Sequence, residues 1–90
     1  MRVAVERTVV IANKEGLHFR PIMRLVDTVG KYSATVRLQV EERVADASSA
    51  MELLMLVATQ GSMVRVTADG DQADEAADAV VQLIDNGFGE

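Results

Sequence analysis

The segment SATVRLQV constrains this chain more than any other. Ala34, Val36, Leu38 and Val40 fall on one side of an extended backbone, and Thr35, Arg37 and Gln39 on the other. That strict period of two belongs to a strand with one dry face. SMVRVTA repeats it with Val64, Val66 and Ala68, and VAVERTVVIA with Val3, Val5, Val9 and Ile11, interrupted by Arg7. Strands of this kind make a sheet wet on one side, and the other side must be covered by apolar helix faces.

The segments between the strands supply those faces. Ile22, Leu25, Val26 and Val29 recur at helical spacing. Pro21 is tolerated only in a first turn, where its missing N–H has no intrahelical partner, so the helix opens close to His18 and Gly30 is a plausible terminator. SSAMELLMLVA reads as a second helix ended by TQG, with Ala50, Leu53 and Val57 as its inner stripe. Its N-cap is Ser48 or Ser49, and Glu52 stands at capping-box distance from Ser49. In the third, DGDQADEAADAVVQLIDNG, residues Ala73, Ala76, Ala77, Val80, Leu83 and Ile84 face inward, while Asp74, Glu75, Asp78 and Gln82 face water. Asn86 and Gly87 stop it. EER links the second strand to a short third one around Val44 and Ala45, although Glu41 and Glu42 are poor turn residues. The predicted order is β-α-β-β-α-β-α, an α+β fold with all helices on one face.

Composition closes off several functions. Ninety residues without cysteine exclude disulfides and thiolate metal sites, and one histidine cannot assemble the usual metal or hydrolase constellation. No cofactor is expected. A net charge of −5 repels phosphate backbones and argues against nucleic-acid binding. No apolar run approaches a membrane span, and Glu6 and Arg7 break the first one, which argues against a signal peptide. The cytoplasm is the expected location, with no membrane insertion.

KEGLHFRPIM holds the only histidine and the only proline. A helix start offers free backbone N–H groups and about half a positive charge, a ready anion cradle. His18 stands at that start, and Arg20, two residues on, can add a charged donor. A nucleophilic ring must be neutral there, with its proton held on the other nitrogen by a backbone partner. These features suit a histidine that is transiently phosphorylated.

Gly16, Leu17, His18, Arg20 and Pro21 form a motif that resembles the active site of the HPr family, the histidine phosphocarriers of the bacterial phosphoenolpyruvate-dependent sugar phosphotransferase system. ADASSAM resembles the family's stretch around its regulatory serine, and TQGSMVRVTADGDQADEAADAVVQL its last strand and helix. The resemblance implies a single HPr-like domain over residues 1–90, an open-faced β-sandwich whose four-stranded antiparallel sheet carries three helices on one face. It implies phosphorylation of His18 on Nδ1, with Arg20 attending the phosphate and Ser49 at the position of a serine modified by a dedicated kinase. The implied partners are an enzyme I-like phosphoryl donor, an enzyme IIA-like acceptor and, as a third candidate, a serine kinase/phosphorylase. The chain would be a monomeric covalent carrier and not a stand-alone enzyme.

Phe19 departs from the small residue usual in the family, and Ser48 and Glu52 stand where relatives commonly carry lysine; Arg24 and Lys31 remain as basic residues. Phe19, Met23, Arg24, Met51, Leu54 and Met55 are the candidate docking surface, with the Phe19 ring expected to point outward. The competing expectation is a regulatory paralogue that docks non-transport partners.

Overall fold

Inward residues of neighbouring strands stand opposite one another, which lets a single apolar layer form. In the computed structural model, which describes residues 4–90, the strands are β1 (Val5–Val10), β2 (Thr35–Val40), β3 (Arg43–Asp46) and β4 (Met63–Asp69). They pair antiparallel in the order β1-β4-β2-β3. Val9 lies opposite Val64, Val36 opposite Ala68, and Leu38 opposite both Val66 and Ala45. All of these except Val9 are at most 2% exposed. Val3 lies outside the described residues.

Three helices cover this layer: α1 (Phe19–Val29), α2 (Ala50–Met55) and α3 (Ala73–Asp85). Ile22, Leu25 and Val29 of α1, Leu53 of α2, and Ala76, Ala77, Val80 and Ile84 of α3 are buried against it. The opposite face of the sheet, with Glu6, Thr8, Arg37 and Arg65, is exposed. The α+β, open-faced arrangement expected from the sequence is therefore the one observed.

Arg7, which interrupts the first strand's pattern, keeps the inward parity of Val5 and Val9. On an edge strand its guanidinium reaches past the sheet to α3, 3.5 Å from Asp74 and 3.4 Å from Asp78. The acidic face of α3 thus partly answers Arg7 instead of facing only water. All three side chains stay well exposed, so the pairing contributes no more than about 1 kcal/mol.

α2 is shorter than its apolar run suggests. It ends at Met55, and Val57 takes a left-handed backbone (φ 52°) and is 67% exposed. Leu56 and Ala58 are buried in its place, and Arg43 Nε donates to the Leu56 carbonyl at 2.8 Å, occupying an acceptor that the helix end leaves free. At the other end Ser49 is the N-cap, its Oγ accepting the Glu52 N–H at 3.3 Å. The capping box is only half made. The Ser49 N–H already donates to the Asp46 carbonyl, so the Glu52 carboxylate accepts from the Asp46 N–H instead. The β2–β3 turn puts Glu41 at φ 56°, held by Gln39 Nε2 donating to its carbonyl at 2.8 Å.

After α3 the chain does something the periodicity does not announce. Gly87, Phe88 and Gly89 all take left-handed backbone angles (φ 69°, 61° and 77°) in a short 3-10 turn. The reversal drives Phe88 into the core, where it is the bulkiest fully buried side chain. Truncating Phe88 to Ala should cost about 3–5 kcal/mol, measured by denaturant unfolding.

Asp46 accepts hydrogen bonds from the Ser48 hydroxyl (2.7 Å) and the Ser48 N–H (2.9 Å), and Arg37 stands opposite it on β2. The Ser48 hydroxyl first and its N–H second hold the Asp46 carboxyl below the ordinary carboxylate value; burial opposes them, and Arg37 adds the smallest lowering effect. A depressed pKa adds stability at neutral pH that disappears as pH falls through the folded-state value. Asp46→Asn should therefore melt earlier than the parent at neutral pH. The gap should close in acid below about pH 4 in thermal scans.

Candidate phosphoryl-acceptor site

A glycine sets the approach to the site. Gly16 takes φ 69°, and a Cβ there would stand 2.5 Å from the Ala58 carbonyl oxygen, so no other residue fits without moving the backbone. Leu17 N–H then donates to that same carbonyl at 2.9 Å, which fastens the loop to the link between α2 and β4. His18 follows as the N-cap of α1, in extended conformation, with its carbonyl accepting the Ile22 N–H at 3.0 Å. Its side chain makes no capping hydrogen bond, so the ring is not spent on the helix. It is 35% exposed.

The two ring nitrogens differ. Nε2 lies 3.3 Å from Glu90 Oε2 and 3.4 Å from Oε1, with Glu15 Oε2 further off at 4.0 Å. Nδ1 has no partner among the described residues. In a neutral ring the carboxylate favours the tautomer with the proton on Nε2, which leaves the Nδ1 lone pair free. The sequence reading expected a backbone partner for that proton. The structure supplies a carboxylate 72 residues away. Asn13 completes the arrangement: 7% exposed, it donates through Nδ2 to the Gly16 carbonyl at 2.7 Å and to Glu90 Oε1 at 3.4 Å. Neither Asn13 nor Glu90 was identified from the sequence.

Arg20 lies in the first turn of α1, exposed, with no hydrogen bond or ion pair among the described residues. The N–H groups of Phe19 and Arg20 head the helix and have no intrahelical acceptor, and the first turn carries no acidic residue. An anion bonded to His18 would meet unspent donors. Arg24 behaves otherwise. Assigned to the docking surface from sequence, it donates through Nη1 to the Phe88 carbonyl at 2.6 Å.

The remaining candidates are exposed apolar side chains on two helices that pack against each other, Phe19 (74%), Met23, Met51, Leu54 and Met55. Phe19 points outward, as expected. Val57 joins the exposed set for the reason given above. A hollow lies away from them, on the open sheet face between Thr8, Gln39 and Arg65. Reactive groups on an open surface suit chemistry with a docked macromolecule more than with a small enclosed substrate. The described residues contain no group of metal-ligating side chains and no helix long and apolar enough to cross a membrane.

An antiparallel sheet open on one side, with a lone, partly exposed histidine heading its first helix, is the plan of a histidine phosphocarrier. Residues 5–86 match the family model described as the PTS HPr component phosphorylation site, and the chain belongs to the HPr family. It is 42% identical over 89 residues to phosphocarrier protein NPr of Klebsiella oxytoca, covering 98% of this chain and 99% of the relative. Phosphocarrier protein HPr of Xylella fastidiosa is 35% identical over 86 residues, 96% of this chain and 97% of that one. The crystal structure of HPr-C-His from Thermoanaerobacter tengcongensis superposes with a TM-score of 0.91 at 38% identity, over 96% of this chain and 97% of that one.

Phe19→Ala should lower stability by well under the ~3–5 kcal/mol of a buried phenylalanine. If the ring contacts a partner, the same variant should weaken partner affinity in a titration.

Proposed function

We propose that this chain carries a phosphoryl group on His18, taking it from an enzyme I-like donor charged by phosphoenolpyruvate and passing it to an enzyme IIA-type acceptor. The observation that carries the reading is the division of labour on the His18 ring, Nε2 facing Glu90 and Nδ1 unengaged. The Nδ1 lone pair attacks the donor's phosphorus. A nitrogen–phosphorus bond forms as the bond from the donor to phosphorus breaks, and that electron pair leaves with the donor. Nε2 keeps its proton, so the ring becomes cationic, and the Glu90 carboxylate faces the charge. Arg20 and the first N–H groups of α1 bear on the phosphoryl oxygens. In the second transfer the acceptor attacks phosphorus and the electron pair returns to Nδ1.

The Met and Phe side chains of α1 and α2 would form the surface on which both partners dock in turn, since flexible apolar side chains adapt to unlike surfaces. A phosphoryl group on Ser49 would be a second input, adding charge at the head of α2. It would also disturb the cap that Ser49 provides. A regulatory role through docking to non-transport partners is the second reading. It is favoured by the outward Phe19 ring beside the nucleophile, which asks a complementary pocket of its partner.

Incubation with phosphoenolpyruvate and the cognate enzyme I should place an acid-labile, alkali-stable phosphate on the parent and none on His18→Ala, with the variant still folded. Undiminished label on His18→Ala would refute the assignment. Arg20→Ala should slow transfer on the order of tenfold to a hundredfold with little change in melting temperature, and Arg20→Lys should recover part of the rate.

A further inference from the structure

We infer that Arg24 is a positioning residue for phosphoryl transfer, acting on His18 through residues 87–90; this rests on His18 as the phosphoryl acceptor. Three observations meet there. Arg24 Nη1 donates a short, charge-assisted hydrogen bond to the Phe88 carbonyl at 2.6 Å. The same guanidinium lies against the next residue, since a Cβ on Gly89 would come within 3.2 Å of Nη1. The residue after that, Glu90, carries the carboxylate that faces His18 Nε2 at 3.3 Å.

The segment needs such a clamp. Its backbone runs through three left-handed residues, one of them a phenylalanine, a conformation that a free chain rarely visits. Burial of the Phe88 ring anchors one point, the Glu90 N–H donates to the Gly87 carbonyl at 3.1 Å, and Asn13 Nδ2 reaches Glu90 Oε1 at 3.4 Å, the same length as the His18 Nε2 contact to that oxygen. Rotation about the bonds between Phe88 and Glu90 would swing the carboxylate away from the ring. The Arg24 bond to the Phe88 carbonyl and its packing on Gly89 restrict those bonds. Helix α1 therefore presents His18 at its head and, from Arg24, also holds the segment that sets which ring nitrogen keeps its proton. An arginine on a helix beside an apolar patch suggests a docking residue; its bonded partner assigns it to orientation of the nucleophile.

The chain's single histidine makes the test direct. The ring 15N chemical shifts of His18 are read without phosphate or partner, at a pH where the ring is neutral, in the parent, Arg24→Ala, Arg24→Lys, Glu90→Ala and the Arg24→Ala/Glu90→Ala double variant. Widely separated Nδ1 and Nε2 shifts report one dominant tautomer; convergence reports mixing. Arg24→Ala and Glu90→Ala should both bring the shifts together, Arg24→Lys should sit between Arg24→Ala and the parent, and the double variant should match Glu90→Ala. Transfer rates should follow the same order. The two single variants should each be slower on the order of tenfold, and the double variant within about twofold of Glu90→Ala. Parent-like shifts in Arg24→Ala, or rate losses that multiply in the double variant, would place Arg24 in docking and overturn the inference. Parent-like shifts in Glu90→Ala would overturn it as well. Because the shifts need no phosphate, absence of label on the parent would refute the function proposed for His18 separately.

Discussion

The burial of one face of β4 and β2 is the constraint from which the rest of the molecule follows. Val64, Val66 and Ala68 lie between the inward residues of β1 and β2, and no arrangement of four strands alone can take them out of water. Three helices have to lie on that face, and their ends then fall at fixed places along the sheet. The loop before α1 is drawn against the link between α2 and β4 by the Ala58 carbonyl, which accepts from Leu17 and crowds Gly16. The head of α1 is thereby held in position by the same packing that closes the core.

An exposed nucleophile has a selectivity problem that an enclosed one does not. Water reaches it, and its ring has to be oriented from one side. Here the orientation comes from beneath and beside the ring: the extended backbone of an N-cap residue, and a carboxylate facing Nε2. The other nitrogen and the Arg20 guanidinium stay unengaged on the surface. That distribution leaves one nitrogen and one guanidinium open to approach at the molecule's surface.

Much of the fold was legible because its signals are local. Parity gave away the inward residues of β2 and β4, Pro21 marked the first turn of α1, and Gly87 the end of α3. Where reading and structure part, a longer-range effect is responsible. Arg7 looked like a flaw in β1, but an edge strand lets its side chain reach the carboxylates of α3. Val57 seemed part of a helical stripe; the chain had already left the helix, and Leu56 and Ala58 filled the core instead. Glu52 stood at capping-box spacing, yet its carboxylate went to Asp46, because the Ser49 N–H was already taken.

The same division runs through the site. The residue types in GLHFRP, and the physics of a helix start, by themselves placed His18 at the head of α1 and Arg20 in its first turn, since both depend on neighbours within one turn. The carboxylate that faces Nε2 of that histidine belongs to Glu90, and Phe88 and Arg24 hold the segment that carries it, from the far end of the described chain. No periodicity announces a glutamate's partner 72 residues away, because that contact exists only once the helices have packed and the chain after α3 has turned back over α1. Local sequence determined where the histidine stands; tertiary packing decided which of its nitrogens faces a carboxylate and which is left without a partner among the described residues.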